Sequence, residues 1–225
     1  MKTSMHNFII AKHIIIDSNT EIYLINIKDN NVGYIDKSII PASQIEEISE
    51  YKFKIDSDKR LLARVFLFEY LKIKYNIKNF ELDINEYNKP FLKVAPSINF
   101  SFSYSKNYML IGISKEKKIG VDIEYINPKF NINEIAQEIM CKSELDWFNY
   151  FKDTSLKRIY FFQLFSAKES IIKAFGIGLF YNVKKINTLD KRIYKFKNTQ
   201  FEYKELGLWM NEYSLSLSIE IANDK

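Results

Sequence analysis

The chain has 225 residues, 47% of them hydrophobic and 16% aromatic, so it is long enough to bury a substantial core. Its formal net charge of +5 comes from lysines scattered among Ile, Asn and Tyr rather than from a basic block, which disfavours nucleic-acid binding. A single cysteine, Cys141, excludes a disulfide framework, and the two histidines, His6 and His13, give little basis for a Ser/His/Asp triad.

The first apolar run, FIIAKHIII from Phe8, is interrupted by Lys12 and His13. It is much shorter than a membrane span and is not followed by a small-residue cleavage site. We therefore expect a cytoplasmic protein with no targeting segment and no membrane partner.

The first half of the chain predicts strands arranged around one long helix. The helix is expected over 56–75, where Asp56 and Ser57 are start signals and apolar residues recur at helical spacing. Lys106 and Asn107 are expected to form a hairpin turn. The remaining elements expected here are a short helix at 41–51 and strands at 21–27, 80–84, 98–105 and 108–114.

The second half repeats this plan. Its long helix is expected over 155–175, and Gly176 and Gly178 end it. Because each half offers strands and one long helix, we predict an α+β fold of two similar-sized lobes. The other elements expected are a strand at 118–126, helices near 131–140 and 142–152, and several strands within 181–221.

Two carboxylates lie close together in the stretch GVDIEYI, residues 120–126. Side chains alternate along a strand, so Asp122 and Glu124 point to the same side with their α-carbons about 7 Å apart. Neighbouring carboxylates raise each other's pKa unless a cation compensates, and Mg²⁺ is usually held by one or two carboxylates plus phosphate. The alternative is a solvated sheet edge on which both acids face water.

A second group of charges lies in the helix predicted for 155–175. Lys168 falls within the apolar stripe of this helix, Glu169 lies at the edge of the stripe, and Lys173 follows Glu169 by one turn. An ordinary Glu–Lys helix pair and a lysine that extends past the stripe to water are the alternative explanations.

Two shorter motifs complete the set. NKPFL, residues 88–92, predicts a turn with one lysine before proline. FSFSYS, residues 100–105, predicts an amphipathic strand with a hydroxyl face.

The order and spacing of these motifs resemble the 4'-phosphopantetheinyl transferases of the double-length, surfactin-synthetase-activating type. The succession is K-P, F-x-x-S-x-S, G-x-D-x-E and F-x-x-K-E-x-x-x-K-x-x-G-x-G-L, and it covers roughly 51–179. The resemblance implies a monomer of two pseudo-symmetric lobes, each a small, mainly antiparallel sheet on a long helix. The expected boundary near Ser105 divides an N-terminal lobe, 1–105, from a C-terminal lobe, 106–225, that carries the metal site.

The resemblance also implies an activity. Members transfer the phosphopantetheine arm of coenzyme A to a serine of an acyl, peptidyl or aryl carrier protein and release adenosine 3',5'-bisphosphate. Mg²⁺ is the implied metal, with Mn²⁺ as the alternative ion, and coenzyme A is the co-substrate. Residues 176–185 correspond to the region where relatives meet the carrier.

Site residues follow from the same resemblance, position by position. Those expected to hold the metal are Asp122, Glu124 and Glu169. Those expected to be catalytic are Glu169, Lys173 and Lys168, with Glu169 as the base for the carrier serine. Those expected to bind coenzyme A are Lys59, Lys89, Ser103, Tyr104 and Lys173.

Three positions depart from the family pattern. Tyr104 stands where the family has histidine and offers a phosphate only a neutral hydroxyl. Asn88 replaces a glycine, and 41–51 has Gln44, Glu46 and Glu47 where relatives often carry lysines. These departures motivate a non-catalytic protein that binds coenzyme A or a carrier as the alternative function, and the metal site alone would also suit a Mg²⁺-dependent pyrophosphate hydrolase.

Overall fold

The computed structural model describes residues 8–30, 32–178 and 181–221; His6 lies outside them. It contains two four-stranded antiparallel sheets and two 22-residue helices. The predicted α+β class is therefore confirmed. Within the described ranges, no helix is both long and apolar enough to cross a membrane.

The first lobe has the strand order β1-β2-β6-β5. Helix α2 packs on this sheet, and its side chains Leu62 and Phe66 are fully buried together with Ile111 of the sheet. The elements of this lobe in chain order are β1 (Ile10–Asp17), β2 (Thr20–Asn26), α1 (Ala42–Ser49), α2 (Lys54–Tyr75), β3 (Leu82–Ile84), β4 (Pro90–Leu92), β5 (Ile98–Ser105) and β6 (Tyr108–Lys115).

The second lobe has the strand order β7-β10-β9-β8, and helix α5 packs across β7 and β10. The predicted strands in 181–221 begin only at Ile193, because Val183–Lys185 forms a single 3₁₀ turn. The elements of this lobe in chain order are β7 (Ile119–Tyr125), α3 (Ile132–Ile139), α4 (Lys142–Tyr150), α5 (Thr154–Phe175), β8 (Ile193–Phe196), β9 (Thr199–Trp209) and β10 (Tyr213–Ile221).

The chain passes from one sheet to the other after Lys115. The β5–β6 hairpin lies wholly in the first sheet, and β7 is the first strand of the second. The domain boundary near Ser105 stays a prediction, but the change of sheet falls after this hairpin rather than before it.

Gly120 lets α5 lie directly on the backbone of β7. A Cβ atom at this position would overlap the carbonyl oxygen of Ser170 and the amide nitrogen of Ala174, both in the helix backbone. The absence of a side chain at Gly120 therefore sets the distance between the strand that carries Asp122 and the helix that carries Lys173.

We expect Gly120→Ala to lower the free energy of unfolding by about 3 kcal/mol, because two backbone segments must separate to admit the methyl group. Urea denaturation measures this loss. Gly207→Ala is the control, since a Cβ there meets no atom within 4 Å and only the cost of its positive φ of +88° remains. Equal stability of Gly120→Ala and the wild type would contradict this close approach.

Candidate active site

Three serines join the two sheets along one seam. In β5, Ser101 Oγ accepts a hydrogen bond from the Val121 amide at 3.1 Å, and Ser105 Oγ accepts one from the Tyr125 amide at 2.9 Å. Between them, Ser103 Oγ donates to Asp122 Oδ1 at 2.8 Å. The predicted hydroxyl face of β5 thus provides hydrogen-bond acceptors for two backbone amides at the edge of β7. Asp122 lies between these two amides, at the centre of the seam.

Asp122 is 1% exposed and has a cationic partner on α5. Lys173 Nζ lies 2.6 Å from Asp122 Oδ1 and also donates to Ser103 Oγ at 3.0 Å. The second carboxylate oxygen, Asp122 Oδ2, is buried and has no hydrogen-bond partner among the described residues. Asp122 therefore has a counter-charge at Oδ1, while Oδ2 accepts no hydrogen bond from the described residues.

The negative charge of Asp122 acts on two nearby glutamates, Glu124 and Glu169. Burial, and then the charge of Asp122, raises the pKa of Glu124 to about 8, and the Lys173 ammonium only partly opposes this. Burial and Asp122 raise the pKa of Glu169 as well, again against Lys173. With all three carboxylates ionised, one ammonium does not balance their charge, so the site favours a further cation.

The carboxylate oxygens of Asp122, Glu124 and Glu169 are the kind of ligand that a hard divalent ion prefers. An unused buried carboxylate oxygen on Asp122 and two glutamates with raised pKa values are what carboxylate ligands without their cation would show. The side chains of the described residues, as they stand, form no group of three or more His, Cys, Asp or Glu arranged to hold a metal. The assignment of Asp122, Glu124 and Glu169 as metal ligands stays a prediction.

Lys168 occupies a different environment from the one expected of a catalytic lysine. Its side chain is 0% exposed, and its ammonium contacts Glu144 Oε2 at 2.7 Å and the carbonyl oxygens of Val183 and Ile186. All of its donors are used away from Asp122. Lys168 therefore connects α5 to the segment after it rather than facing a substrate.

Glu144 is a buried residue that the sequence reasoning missed. Besides Lys168, it accepts hydrogen bonds from the Cys141 amide at 2.9 Å and from the Thr188 amide and hydroxyl at 2.9 and 3.0 Å. The spacing of Cys141 and Glu144 at the start of α4 resembles a capping box, which is the signal that could have found this glutamate.

Lys89 also binds protein groups. Its ammonium donates to the carbonyl oxygens of Ile119 at 3.0 Å and Lys173 at 2.6 Å, which bridges β7 and α5. Burial, followed by the nearby Lys118 and Lys173 charges, lowers its pKa to about 8. Asn88 before it has the positive φ of +64° expected of a residue in place of glycine.

Lys59 and Tyr104 complete the predicted coenzyme A residues. Lys59 Nζ lies 3.6 Å from Asp56 Oδ1, and its side chain is 14% exposed, so it is partly neutralised within its own helix. Burial raises the pKa of Tyr104 to about 12, against the charges of Arg64 and Arg60, and its hydroxyl is a neutral donor at pH 7.

A cavity of about 270 Å³ is lined by Lys89 and Lys173, two of the predicted site residues. It brings together the N-K-P turn, the start of the serine strand and the end of α5, which are far apart in sequence. The lining residues are Tyr87, Asn88, Lys89, Pro90, Phe100, Ser101, Phe102, Lys173, Gly176 and Gly178.

Comparison with known proteins agrees with the resemblance seen in the motifs. Residues 118–218 match the family model described as the 4'-phosphopantetheinyl transferase superfamily. The 4'-phosphopantetheinyl transferase ffp of Bacillus subtilis is 31% identical over 145 residues, which are 63% of this chain and 62% of the relative. Sfp of Bacillus subtilis strain 168 is 29% identical over 63% of this chain and 62% of its own length.

A third relative, the 4'-phosphopantetheinyl transferase gsp of Aneurinibacillus migulanus, is 33% identical over 56% of this chain and 51% of its own length. The chain thus matches between about half and three fifths of the length of these curated relatives. The matched family segment contains Asp122, Glu124, Glu169 and Lys173. The predicted resemblance to the 4'-phosphopantetheinyl transferases is therefore confirmed, and residues 118–218 are the segment that matches the superfamily model.

Proposed function

We propose that this protein transfers the 4'-phosphopantetheine group of coenzyme A to a serine hydroxyl of an apo carrier protein. The observation that carries the proposal is the buried Asp122, held by Lys173 and Ser103 beside two glutamates with raised pKa values. Lys173 lines a cavity, and the three carboxylates and Lys173 all lie within the segment that matches the family.

In this proposal the carboxylates of Asp122, Glu124 and Glu169 hold Mg²⁺ or Mn²⁺. Such an ion, when bound, would neutralise charge on the pyrophosphate of coenzyme A. Lys173 is the cation proposed to contact the phosphates, because its side chain is 28% exposed while its ammonium contacts Asp122 and Ser103.

The proposed transfer is a substitution at phosphorus. The carrier serine oxygen attacks the β-phosphorus of coenzyme A, and the bond from that phosphorus to the bridging oxygen breaks. Adenosine 3',5'-bisphosphate leaves with the bond's electron pair, and Glu169 takes the serine proton.

The carrier is proposed to dock at the segment 176–185, of which residues 176–178 and 181–185 are described. Lys184 and Lys185 are exposed there, while Lys168 and Glu144 hold the backbone at Val183 and Thr188. A basic segment anchored by these hydrogen bonds would complement an acidic carrier surface. We propose further that the protein acts as a cytoplasmic monomer without a nucleic-acid partner.

The transferase proposal is tested with coenzyme A, Mg²⁺ and a panel of apo fatty-acid, polyketide and peptide carriers. We expect the mass of at least one carrier to rise by one phosphopantetheine group. Cleavage of coenzyme A without any carrier gain would favour the hydrolase, and binding without cleavage would favour the non-catalytic protein.

Glu169→Gln tests the base. We expect its transfer rate to fall at least about a hundredfold while coenzyme A still binds, because the amide cannot accept the serine proton. Stopped assays with saturating Mg²⁺ measure the rate, and isothermal calorimetry measures coenzyme A binding. Full transfer activity in this variant would show that another group is the base.

A further inference from the structure

Three serines alternate along β10 and lie directly opposite the residues of β7 that face α5. A Cβ atom built at Gly120 points into the backbone of α5, which fixes the side of the sheet on which this face lies. Opposite residues of an antiparallel pair share a face, so the serines point to α5 as well. The pairs are Ser214 with Glu124, Ser216 with Asp122, and Ser218 with Gly120.

The three serines are equally buried but differ in their hydrogen bonds. Ser218 Oγ forms a hydrogen bond with Ser170 Oγ of α5 at 2.9 Å. Ser216 Oγ interacts with the Tyr203 hydroxyl, although the two form no well-aligned hydrogen bond. Ser214 is 1% exposed, and its Oγ has no hydrogen-bond partner in the part of the chain that the structure describes. A buried hydroxyl without a partner is uncommon and lowers stability.

Glu124, opposite Ser214, lacks what this hydroxyl offers. Within the described ranges its carboxylate accepts no hydrogen bond, whereas Asp122 Oδ1 is held by Ser103 and Lys173. Opposite side chains have Cβ atoms about 4.5–5.5 Å apart, so a serine hydroxyl can reach a glutamate carboxylate. A carboxylate that binds a metal is usually oriented by a hydrogen bond of its own.

We propose that Ser214 is a positioning residue of the candidate metal site, and that its hydroxyl donates to one carboxylate oxygen of Glu124 so that the other oxygen faces the cation. This inference rests on the proposed function, because it takes Glu124 as a ligand of Mg²⁺ or Mn²⁺. Ser214 thus lowers the stability of the fold and raises its affinity for a divalent cation.

Titration with Mn²⁺, followed by the electron paramagnetic resonance of the free ion, tests this role without any transfer. The titration is made with and without coenzyme A. We expect Ser214→Ala to bind Mn²⁺ about tenfold to a hundredfold more weakly than the wild type. Ser214→Thr keeps the hydroxyl and should recover most of the affinity. Wild-type affinity in Ser214→Ala, or an equal loss in both variants, overturns the inference.

Thermal unfolding without added metal distinguishes positioning from packing. Ser214→Ala should melt at or slightly above the wild-type temperature, because it removes a buried hydroxyl that has no partner.

Ser218→Ala is the matched control, since Ser218 is buried on the same face of the same strand. It loses the hydrogen bond to Ser170, so it should melt about 2–4 °C lower while its Mn²⁺ affinity stays that of the wild type. An equal loss of Mn²⁺ affinity in Ser218→Ala and Ser214→Ala would show a general loosening of β10 and overturn the role of Ser214.

A transfer assay separates this inference from the proposed function. The Mn²⁺ concentration that gives half-maximal transfer should rise about tenfold to a hundredfold in Ser214→Ala. If the wild type modifies no apo carrier, the proposed function fails, and the Mn²⁺ titration still decides the role of Ser214. If the wild type transfers the group but binds no Mn²⁺, the transfer stands and the inference is overturned.

Discussion

Asp122→Asn is expected to lower phosphopantetheine transfer by about a thousandfold, since one preorganised charge at such a site is typically worth a factor of a hundred to a thousand. The substitution keeps the shape of the side chain but removes the charge that Lys173 and Ser103 contact. Single-turnover transfer to an apo carrier measures the loss.

Asp146→Asn is the matched control, because Asp146 is exposed on α4 in the same lobe. Its transfer rate should equal that of the wild type. Asp122→Asn with more than a tenth of wild-type activity would contradict the role given to this carboxylate.

The same residue shows how the structure changes an expectation. If Asp122 were only a repelling charge in an empty site, Asp122→Ala would leave the fold intact. Lys173 and Ser103 now give Asp122 native partners, so alanine would leave a cavity and an unpaired ammonium. Asparagine is therefore the cleaner test of function.

Lys168→Met is expected to lower the free energy of unfolding by about 3–5 kcal/mol, because it leaves the carboxylate of Glu144 buried without its cation. Both side chains are 0% exposed, so solvent cannot replace the lost partner. Chemical denaturation measures the change, and hydrogen exchange at the Thr188 amide should report loosening of the proposed docking segment.

Lys142→Met, at the exposed start of α4, is the control and should change stability by less than about 0.5 kcal/mol. The double variant Lys168→Met/Glu144→Gln should recover part of the loss, since it removes the orphaned charge. Wild-type stability of Lys168→Met alone would contradict the buried pair.

Local patterns predicted the long elements well. The apolar spacing in α2 and α5 and the turn at Lys106 and Asn107 depend on neighbours in sequence, and the structure has all three. β4 was missed, because its three residues begin at Pro90 itself, carry no periodic signal and pair with β3.

The site was harder to predict because its contacts join distant segments. Alternation marked the serine face of β5, but only the fold shows that Ser101 and Ser105 accept hydrogen bonds from β7. Lys168 stood out as a lysine in an apolar stripe. Its partner Glu144 lies on the preceding helix, α4, so sequence spacing could not identify the pair.

Residue types alone did not distinguish a phosphate-binding lysine from a bridging one. Lys89 before proline resembles the family residue, and in the structure its ammonium binds two backbone carbonyl groups.

The most direct test of the proposed transfer is the mass of an apo carrier after incubation with this protein, coenzyme A and Mg²⁺. We predict a gain of one phosphopantetheine group on a carrier with its acceptor serine, accompanied by one adenosine 3',5'-bisphosphate. The same carrier with that serine changed to alanine should gain nothing. No gain on any fatty-acid, polyketide or peptide carrier would contradict the transferase function.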